Sequence, residues 1–388
     1  MRGSERMRIL LVNQGHTDNL GDRAIAQVMA TVVKKATGAD TVVMPFIPDE
    51  QPTSLADMRT EVQPVASTPD ELPWLRRTVW RTKRFIRDMK SEPVQERYTR
   101  LIRERLDAEG HFDAAIIGGG ELVKGNGHPF FHSLQAWIDA LAERSCPVAV
   151  MGVSSDARFT GKETAALREA FAKCATVLVR DEQTLAVMHD ILRVDAAYAP
   201  DVVFAYRYLQ SCLPLGQRHG EGDVARRMRG ACVYAYQELS VEKKRQYTRN
   251  EYYEMWYRLI RKQISDDEKD SAGDANLKLL YTTYTDYCES ARFREWLFTE
   301  KNKRAILAEI DSIDDYVDEL ADCRSLVSGR MHAMILALQY GIEVDAVPIK
   351  TKLAVFKEEW ERRQFVWNQD GKDIADAYSR AIRDMISR

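Results

Sequence analysis

The chain of 388 residues is 45% hydrophobic and 30% charged, with a formal net charge of −3. This is the composition of an ordinary globular protein, and the length predicts two domains. A slightly acidic chain argues against a dedicated nucleic-acid binder. No apolar run reaches the roughly 18 residues that a membrane-spanning helix needs, so we expect a cytoplasmic protein. The six cysteines form no Cys-x-x-Cys pair, which argues against zinc spacing and against a disulfide framework.

The first half of the chain alternates short apolar runs with longer amphipathic segments. This alternation predicts a parallel α/β sheet that is covered by helices. Strands are expected at residues 8–13, 41–44, 112–117, 148–153, 176–179 and 197–204. Helices are expected at residues 22–35, 129–143, 162–173 and 182–192.

A second α/β series follows residues 206–225, which lose periodicity and contain one proline and three glycines. New strands are expected at residues 231–236, 277–281, 325–327 and 343–347. We therefore predict an N-terminal Rossmann-like domain at residues 7–205, a hinge at 206–225, and a C-terminal Rossmann-like domain with a helical tail at 226–388. Two such domains with a cleft between them form the α/β architecture called GT-B-like. Ligands of such sheets bind at the carboxyl ends of the strands.

The segment Ser328-Gly329-Arg330-Met331-His332 follows a short apolar run and opens an apolar helical run. A helix N-terminus attracts anions, and here it carries an arginine and a histidine, which titrates near neutral pH. We predict a substrate-binding site with Ser328, Gly329, Arg330 and Met331 as contacts and His332 as the catalytic acid or base. The alternative is a capped core helix with a surface arginine and a buried histidine.

Asn19, Gly21 and Asp22 lie where the first strand leads into the first helix. The Asn19 side chain can cap the helix, and Gly21 allows a ligand to approach the backbone closely. Asp22 can accept a hydroxyl proton but would repel a phosphate. We therefore predict that Asp22 is catalytic on the side of a neutral acceptor, with Asn19 and Gly21 as substrate contacts. The alternative is that Asp22 only stabilises the helix start.

Three consecutive glycines, Gly118, Gly119 and Gly120, precede Glu121 at the end of a predicted strand. Such a run is costly in conformational entropy unless the backbone needs unusual angles or a close approach. We predict that these four residues contact substrate; the alternative is a tight turn without a ligand. The two histidines in the following segment have no third ligand nearby, so no metal site is expected.

Arg180 ends another predicted strand, and Asp201 lies at the edge of the next one. An arginine in this position can bind a carboxylate or a phosphate with two parallel hydrogen bonds. Alternatively, Arg180 pairs with Asp181 or Asp201 and braces the loops. We keep Arg180 and Asp201 as candidate substrate-binding residues.

Taken in order, these motifs resemble those of the polysaccharide pyruvyl transferase family. The resemblance implies a GT-B-like fold and the transfer of pyruvate from phosphoenolpyruvate to a glycan or lipid-linked sugar as a ketal. It implicates Arg330 and His332 in phosphoenolpyruvate binding and catalysis, with the donor on the C-terminal domain. No metal or organic cofactor is required for that chemistry. The matching segments are residues 19–22, 118–122, 152–154, 179–181, 200–204 and 328–333.

The sequence departs from the family pattern after the first strand of the second domain. Gln237-Glu238 stands there where the family pattern has Ser-x-Arg, so an anion-binding arginine is missing and the identity of the donor is left open. Gly341-Ile342-Glu343 also replaces an expected Gly-x-Pro. Two alternatives therefore stay open: a GT-B glycosyltransferase that uses a nucleotide sugar, and a non-catalytic binding protein on the same scaffold.

Residues 74–105 contain eleven Lys and Arg against four Asp and Glu, interleaved with aromatic residues. The simplest interpretation is a solvated helical face. The alternative is peripheral docking on the anionic inner face of a membrane, where lipid-linked acceptors reside. The sequence gives no indication of the oligomeric state.

Overall fold

The computed structural model describes residues 6–60, 93–210, 228–262, 276–360 and 366–387. The first described half contains a parallel six-stranded sheet. Its strands are β1 Arg8–Asn13, β2 Asp40–Pro45, β3 Ala114–Val123, β4 Val148–Ser155, β5 Thr176–Val179 and β6 Ala197–Tyr198. They lie in the order β2-β1-β3-β4-β5-β6.

Strand β1 illustrates why this sheet is buried on both faces. Successive side chains of a strand point to opposite faces. Accordingly, Ile9 and Leu11 join one hydrophobic core, and Leu10 and Val12 join another. The continuous apolar run that predicted the strand is thus explained by cores on both sides of the sheet.

The helices of this half connect the strands. They are α1 Leu20–Thr37, α2 Leu55–Thr60, α3 Val94–Glu109, α4 Pro129–Glu143, α5 Gly161–Phe171, α6 Glu182–Ala186 and α7 Tyr206–Leu209. A π-helical turn, Val187–Leu192, extends α6, and a 3₁₀ turn, Val202–Ala205, precedes α7.

The second half contains a parallel five-stranded sheet with the order β11-β10-β7-β8-β9. The strands are β7 Met228–Cys232, β8 Leu277–Leu280, β9 Ile306–Leu307, β10 Cys323–Ser328 and β11 Glu343–Ala346. The helices are α8 Val241–Gln246, α9 Arg249–Lys262, α10 Tyr284–Lys301, α11 Ile313–Ala321, α12 Met331–Gln339, α13 Thr351–Trp360 and α14 Trp367–Ile386. A 3₁₀ turn, Tyr236–Glu238, follows β7.

Two parallel sheets with helical connections confirm the predicted α/β fold of two Rossmann-like units with a cleft between them. Three strands differ from the sequence prediction. Strand β3 continues through the glycine run to Val123, and the strand predicted at residues 231–236 begins and ends earlier, as β7. The strand predicted at residues 197–204 is only Ala197–Tyr198, because Pro200 has no amide hydrogen for the sheet and Asp201 caps a 3₁₀ turn by accepting from the Val203 amide at 3.0 Å. Most of the predicted hinge, residues 211–225, lies outside the described residues, and the domain boundaries stay a prediction.

The last helix, α14, packs against elements of the first half. It contacts α1, α7 and the 3₁₀ turn Val202–Ala205, and the Tyr378 hydroxyl donates to the Pro200 carbonyl at 3.2 Å. The predicted division counts this helix with the second domain. Its packing joins the C-terminal end of the chain to the edge of the first sheet where Asp201 lies.

Hydrogen bonds between the halves hold the start of α1 against the end of β8. The Leu20 amide donates to the Thr282 carbonyl at 2.9 Å, and the Tyr284 amide donates to the Asp18 carboxylate at 2.7 Å. Asp22, in the first turn of α1, is therefore held beside the second sheet.

Candidate functional site

A polar cavity of about 230 Å³ lies between the two halves, at the carboxyl ends of their strands. Both halves contribute charged side chains to its wall. From the first half come Asn19, Asp22, Gly120, Glu121, Lys124 and Arg180. From the second half come Tyr234, Gly329, Arg330, Met331, His332, Lys350 and Lys352. Motifs far apart in the sequence thus meet in one cleft, at the place where α/β sheets bind ligands.

Arg330 occupies the N-cap position of α12, but its guanidinium is mostly committed to the protein. Nε and Nη2 donate to the two oxygens of Asp286, each at 2.7 Å, and Nη2 also donates to Glu238 at 2.9 Å. The guanidinium carbon lies 4.1 Å from the centre of the Tyr234 ring, a cation–π contact. Nη1 makes no hydrogen bond with any described residue. The geometry therefore leaves one nitrogen of Arg330 for a ligand.

The two acids that hold Arg330 are themselves fixed. Asp286 is fully buried and also accepts from the Ala235 amide at 3.0 Å. Burial raises the pKa of Glu238, but the charge of Arg330 and the hydroxyl of Thr285 outweigh it and bring this pKa below its usual value. Glu238 belongs to the Gln237-Glu238 pair that follows β7, and it places a negative charge 2.9 Å from Arg330 Nη2.

His332 and Arg180 share one buried carboxylate, that of Asp201. His332 Nε2 lies 3.2 Å from Asp201 Oδ2, and Arg180 donates to the same oxygen at 2.8 Å. Arg180 also donates to the Ser154 hydroxyl at 2.8 Å. Burial raises the pKa of Asp201, but His332, Arg180 and the Val203 amide outweigh it and leave this pKa well below its usual value. An ionised carboxylate that orients a histidine is the arrangement used to position acid–base groups in enzymes.

Gly21 and Asp22 lie on the other side of the imidazole. A β-carbon at Gly21 would lie 2.2 Å from His332 Nδ1, so Gly21 provides space for the histidine. Asn19 caps α1 by accepting from the Gly21 amide at 3.0 Å, and it donates to Asp22 at 2.7 Å. Burial raises the pKa of Asp22, and the charges of His332 and Lys352 offset only part of this.

The three glycines of β3 have separate surroundings. A β-carbon at Gly118 would meet the Met151 carbonyl of β4, and one at Gly119 would meet the Ile25 side chain. These two glycines allow close packing of the sheet and of α1. Gly120 has a φ of +92° and lines the cavity opposite Asp22. A strand interrupted by left-handed glycines, and not a turn, therefore carries this part of the site.

Other predicted contacts fall into two groups. Met331, Gly329 and Glu121 line the cavity. Ser328 is fully buried and bonds to the backbone of Arg330, which shapes the turn before α12. Asp181, considered as a partner of Arg180, caps α6 by accepting from the Thr184 amide at 2.7 Å.

Lys350 and Lys352 are the functional candidates that sequence reasoning missed. They follow β11 in the segment Val347-Pro348-Ile349-Lys350-Thr351-Lys352, and the signal that could have found them is the Lys-x-Lys pair beyond a strand end. Lys352 Nζ lies 3.4 Å from Glu121 Oε2. Burial, together with Lys352 and Arg330, lowers the pKa of Lys350 to about 8. Lys350 Nζ lies 4.7 Å from the centre of the Tyr234 ring.

A second cavity of about 760 Å³ adjoins the first. Glu121, Arg180, Met331, Lys350 and Lys352 line both cavities. The larger one extends past the ends of β4 and β5 toward α8 and α13. Its further lining includes Ser155, Asp156, Asp181, Gln183, Ser240, Glu242, Lys243, Phe356 and Trp360.

A family model described as polysaccharide pyruvyl transferase matches residues 19–344. The chain belongs to the polysaccharide pyruvyl transferase family. This confirms the resemblance inferred from the ordered motifs. None of the curated proteins matched the chain.

Several solved structures are similar to this family member. The UDP-GlcNAc 2-epimerase from Methanocaldococcus jannaschii is 10% identical, with 97% of this chain and 100% of that chain covered and a TM-score of 0.46. A sucrose-phosphate synthase from Thermosynechococcus elongatus is 12% identical, with 98% and 97% covered and a TM-score of 0.44. The ADP-heptose LPS heptosyltransferase II of E. coli is 13% identical, with 88% and 84% covered and a TM-score of 0.38. At these scores the likeness says nothing about the reaction.

The basic segment 74–105 is described only in part, because residues 74–92 lie outside the described residues. The rest belongs to α3, where Arg103 pairs with Glu143 and Arg100 with Glu104. Across the described part of the chain, every helix is too short or too polar to span a bilayer. Membrane docking of this segment stays a prediction.

Proposed function

We propose that the protein transfers pyruvate from phosphoenolpyruvate to a glycan or lipid-linked sugar and forms a ketal. The family membership supports a transferase, and one observation supports this chemistry in particular. His332 is held by the buried carboxylate of Asp201 and lines the same small polar cavity as Arg330 and Asp22. A single oriented acid–base group beside positive charge is what the transfer needs.

The reaction bonds the oxygens of two sugar hydroxyls to the same carbon of phosphoenolpyruvate, C2. A proton is added to C3, and C2 gains oxocarbenium character. One sugar hydroxyl oxygen bonds to C2 and loses its proton. The bond from C2 to the phosphate oxygen then breaks, the electron pair leaves with phosphate, and the second hydroxyl bonds to C2 and loses its proton. One hydroxyl proton thus replaces the proton used at C3, and the other balances the released hydrogen phosphate.

His332 is the proposed donor of the proton to C3. Its Nε2 lies 3.2 Å from the Asp201 carboxylate, which holds the imidazole in place. General acid catalysis by one positioned group contributes about 10²–10⁴-fold. Arg330 contributes the hydrogen-bond donor Nη1 to the anionic phosphoenolpyruvate.

Asp22 is the proposed acceptor-side residue. It lines the cavity from the first half, while Arg330 lines it from the second. Its raised pKa makes it a better proton acceptor than an ordinary aspartate, and the nearby charges of His332 and Lys352 favour its ionised form. The adjoining cavity of about 760 Å³ offers serine hydroxyls and carboxylates to a hydroxyl-rich acceptor.

We propose a cytoplasmic protein acting at the inner face of the membrane, with no metal or organic cofactor. This location follows from the acceptor class, since lipid-linked sugars are held at that surface. No nucleic acid is proposed as a partner.

Phosphate release from phosphoenolpyruvate, measured against a panel of glycans and lipid-linked sugars, tests this function. We expect acceptor-dependent phosphate release with one phosphate per ketal, and no effect of a metal chelator. Thermal shifts with phosphoenolpyruvate and with nucleotide sugars provide the comparison with a glycosyltransferase. Stabilisation by nucleotide sugars, combined with no phosphate release for any acceptor, would contradict the proposal.

A further inference from the structure

The cations of the smaller cavity differ in how far they are already neutralised. Arg180 is bonded to Asp201 and Ser154, and Arg330 to Asp286 and Glu238. These two arginines therefore offer a ligand little uncompensated charge.

The lysines of the cavity are less fully neutralised by ion pairs. Lys352 and Lys124 share one carboxylate, that of Glu121, at 3.4 and 3.9 Å. Lys350 forms no ion pair with any residue in the described ranges, and it lines the cavity wall. The net positive charge of the cavity thus lies at Lys350 and Lys352, on the segment that follows β11.

Crowding of like charges indicates that an anion belongs there. Burial lowers the pKa of Lys350 first, the charges of Lys352 and Arg330 lower it further, and Glu238 and Glu121 offset only part of this, so that the pKa is about 8. Removing this repulsion requires either loss of a proton or arrival of an anion. A phosphate supplies up to two negative charges and several acceptor oxygens, which ammonium groups bind well.

We propose that Lys350 and Lys352 bind the phosphate group of the donor and retain it as it leaves, in place of the missing Ser-x-Arg arginine. This inference rests on the proposed function for the identity of the donor. In this arrangement, the carboxylate end of the donor lies toward Arg330 Nη1, and the phosphate lies where the two cavities join.

The experiment measures binding of inorganic phosphate and of pyruvate by calorimetry, without an acceptor. Inorganic phosphate reports on the phosphate subsite, and pyruvate reports on the carboxylate subsite. The variants are Lys350→Met and Lys352→Met, with Lys350→Arg and Lys352→Arg to restore the charge. Lys357→Met is the matched control. Lys357 lies on α13, as Lys352 does, and its Nζ lies 3.5 Å from Asp345 Oδ1.

We expect each methionine variant to weaken phosphate binding at least about tenfold, the scale of one charge-assisted hydrogen bond. Pyruvate binding should change less than twofold, the arginine variants should recover most of the phosphate affinity, and the control should behave as the wild type. Phosphate affinity within twofold of wild type in both methionine variants would overturn the proposal. Loss of pyruvate binding instead would assign the lysines to the carboxylate and also overturn it.

The variant Glu121→Gln should change the phosphate affinity in the opposite direction. Because Glu121 competes for Lys352, its neutral isostere should bind inorganic phosphate more tightly than the wild type. Weaker phosphate binding in this variant would contradict the assignment of Lys352.

Failure of this inference and failure of the proposed function give different results. If phosphate binding depends on the lysines but no acceptor releases phosphate from phosphoenolpyruvate, the anion site is supported and the proposed reaction is contradicted. If the wild-type protein turns over phosphoenolpyruvate while the lysine variants bind phosphate normally, the proposed reaction is supported and the phosphate site at the lysines is contradicted.

Discussion

Gly21 lies directly against the imidazole of His332, although the two residues belong to different halves of the molecule. Only a hydrogen at this position leaves room, because a β-carbon would lie 2.2 Å from His332 Nδ1. The sequence pattern assigned Gly21 to substrate contact. The structure gives it a second role, which is to position the proposed catalytic histidine.

We expect Gly21→Ala to impair turnover far more than stability. The clash costs about 1–3 kcal/mol if the core does not adjust, but alanine is better than glycine in a helix by about 1 kcal/mol. The imidazole is the group that moves, so it should lose its hydrogen bond to Asp201. Turnover should fall at least about tenfold with a melting temperature near that of the wild type. Gly161→Ala, at an open position in α5, is the control, and equal turnover in both variants would contradict this role.

Arg330→Ala is expected to destabilise the fold as well as weaken donor binding. Truncation leaves the buried carboxylate of Asp286 and the neighbouring Glu238 without their cation. Breaking a buried pair in this way costs about 3–5 kcal/mol. The sequence alone predicts that Arg330→Ala weakens donor binding much more than it destabilises the fold, because the arginine lies at a helix N-terminus after a glycine turn.

Urea unfolding of Arg330→Ala and of Arg100→Ala measures this difference. Arg100 also pairs with a glutamate, but on an exposed surface, where a pair contributes about 0.3–0.5 kcal/mol. The double variant Arg330→Met with Asp286→Asn should recover part of the stability, because it removes a buried charge together with its partner. An unfolding free energy of Arg330→Ala within 1 kcal/mol of wild type would mean that the acids do not depend on this arginine.

Much of the fold could be predicted because burial of a parallel strand leaves a continuous apolar run, as in residues 8–13. The motifs at strand ends could also be predicted to meet in one cleft. The acids that hold Arg330 could not, since Asp286 and Glu238 are 44 and 92 residues away in the sequence. Lys350 and Lys352 look like ordinary surface lysines until the second sheet brings them to the cavity.

Asp22→Asn should impair turnover while leaving donor binding intact. The amide keeps the size of the side chain and a hydrogen-bonding oxygen, but it cannot accept the hydroxyl proton. We expect a rate loss of about 10²–10⁴-fold, with phosphoenolpyruvate affinity equal to or higher than that of the wild type because a negative charge has been removed. Calorimetry and turnover on the same preparation decide the matter. Loss of donor affinity in a folded variant would place Asp22 on the donor side.

Anion binding should depend on pH through Lys350. Its pKa is lowered to about 8 by burial and by the charges of Lys352 and Arg330. The ammonium form that attracts an anion is therefore present below pH 8 and lost as the pH rises through that value, where an ordinary lysine stays charged. Sulfate is the suitable probe, because its own charge does not change over this range.

Sulfate affinity should fall several-fold between pH 7 and pH 9 in the wild type. The step should be absent in Lys350→Arg, since arginine keeps its charge throughout. A pH step that persists unchanged in the arginine variant would assign the titration to another group of the cavity.

His332 and Asp201 should behave as one catalytic unit. His332→Gln retains hydrogen bonding without proton transfer, and Asp201→Asn retains an acceptor without the negative charge beside the imidazole. Each variant should lose about 10²–10⁴-fold in turnover with donor affinity nearly unchanged. Because both substitutions disable the same proton transfer, the double variant should be no slower than His332→Gln alone.

Turnover, donor affinity and melting temperature on the two single variants and the double variant test this unit. A purely structural pair would lose stability and activity in parallel, since His332 and Asp201 also bridge the two halves of the molecule. Independent roles would give additive losses in the logarithm of the rate. Near-normal turnover of a folded His332→Gln protein would exclude His332 from the reaction. The proton donor would then be another titratable group of the cavity. Lys350, with a pKa of about 8, is the first to test.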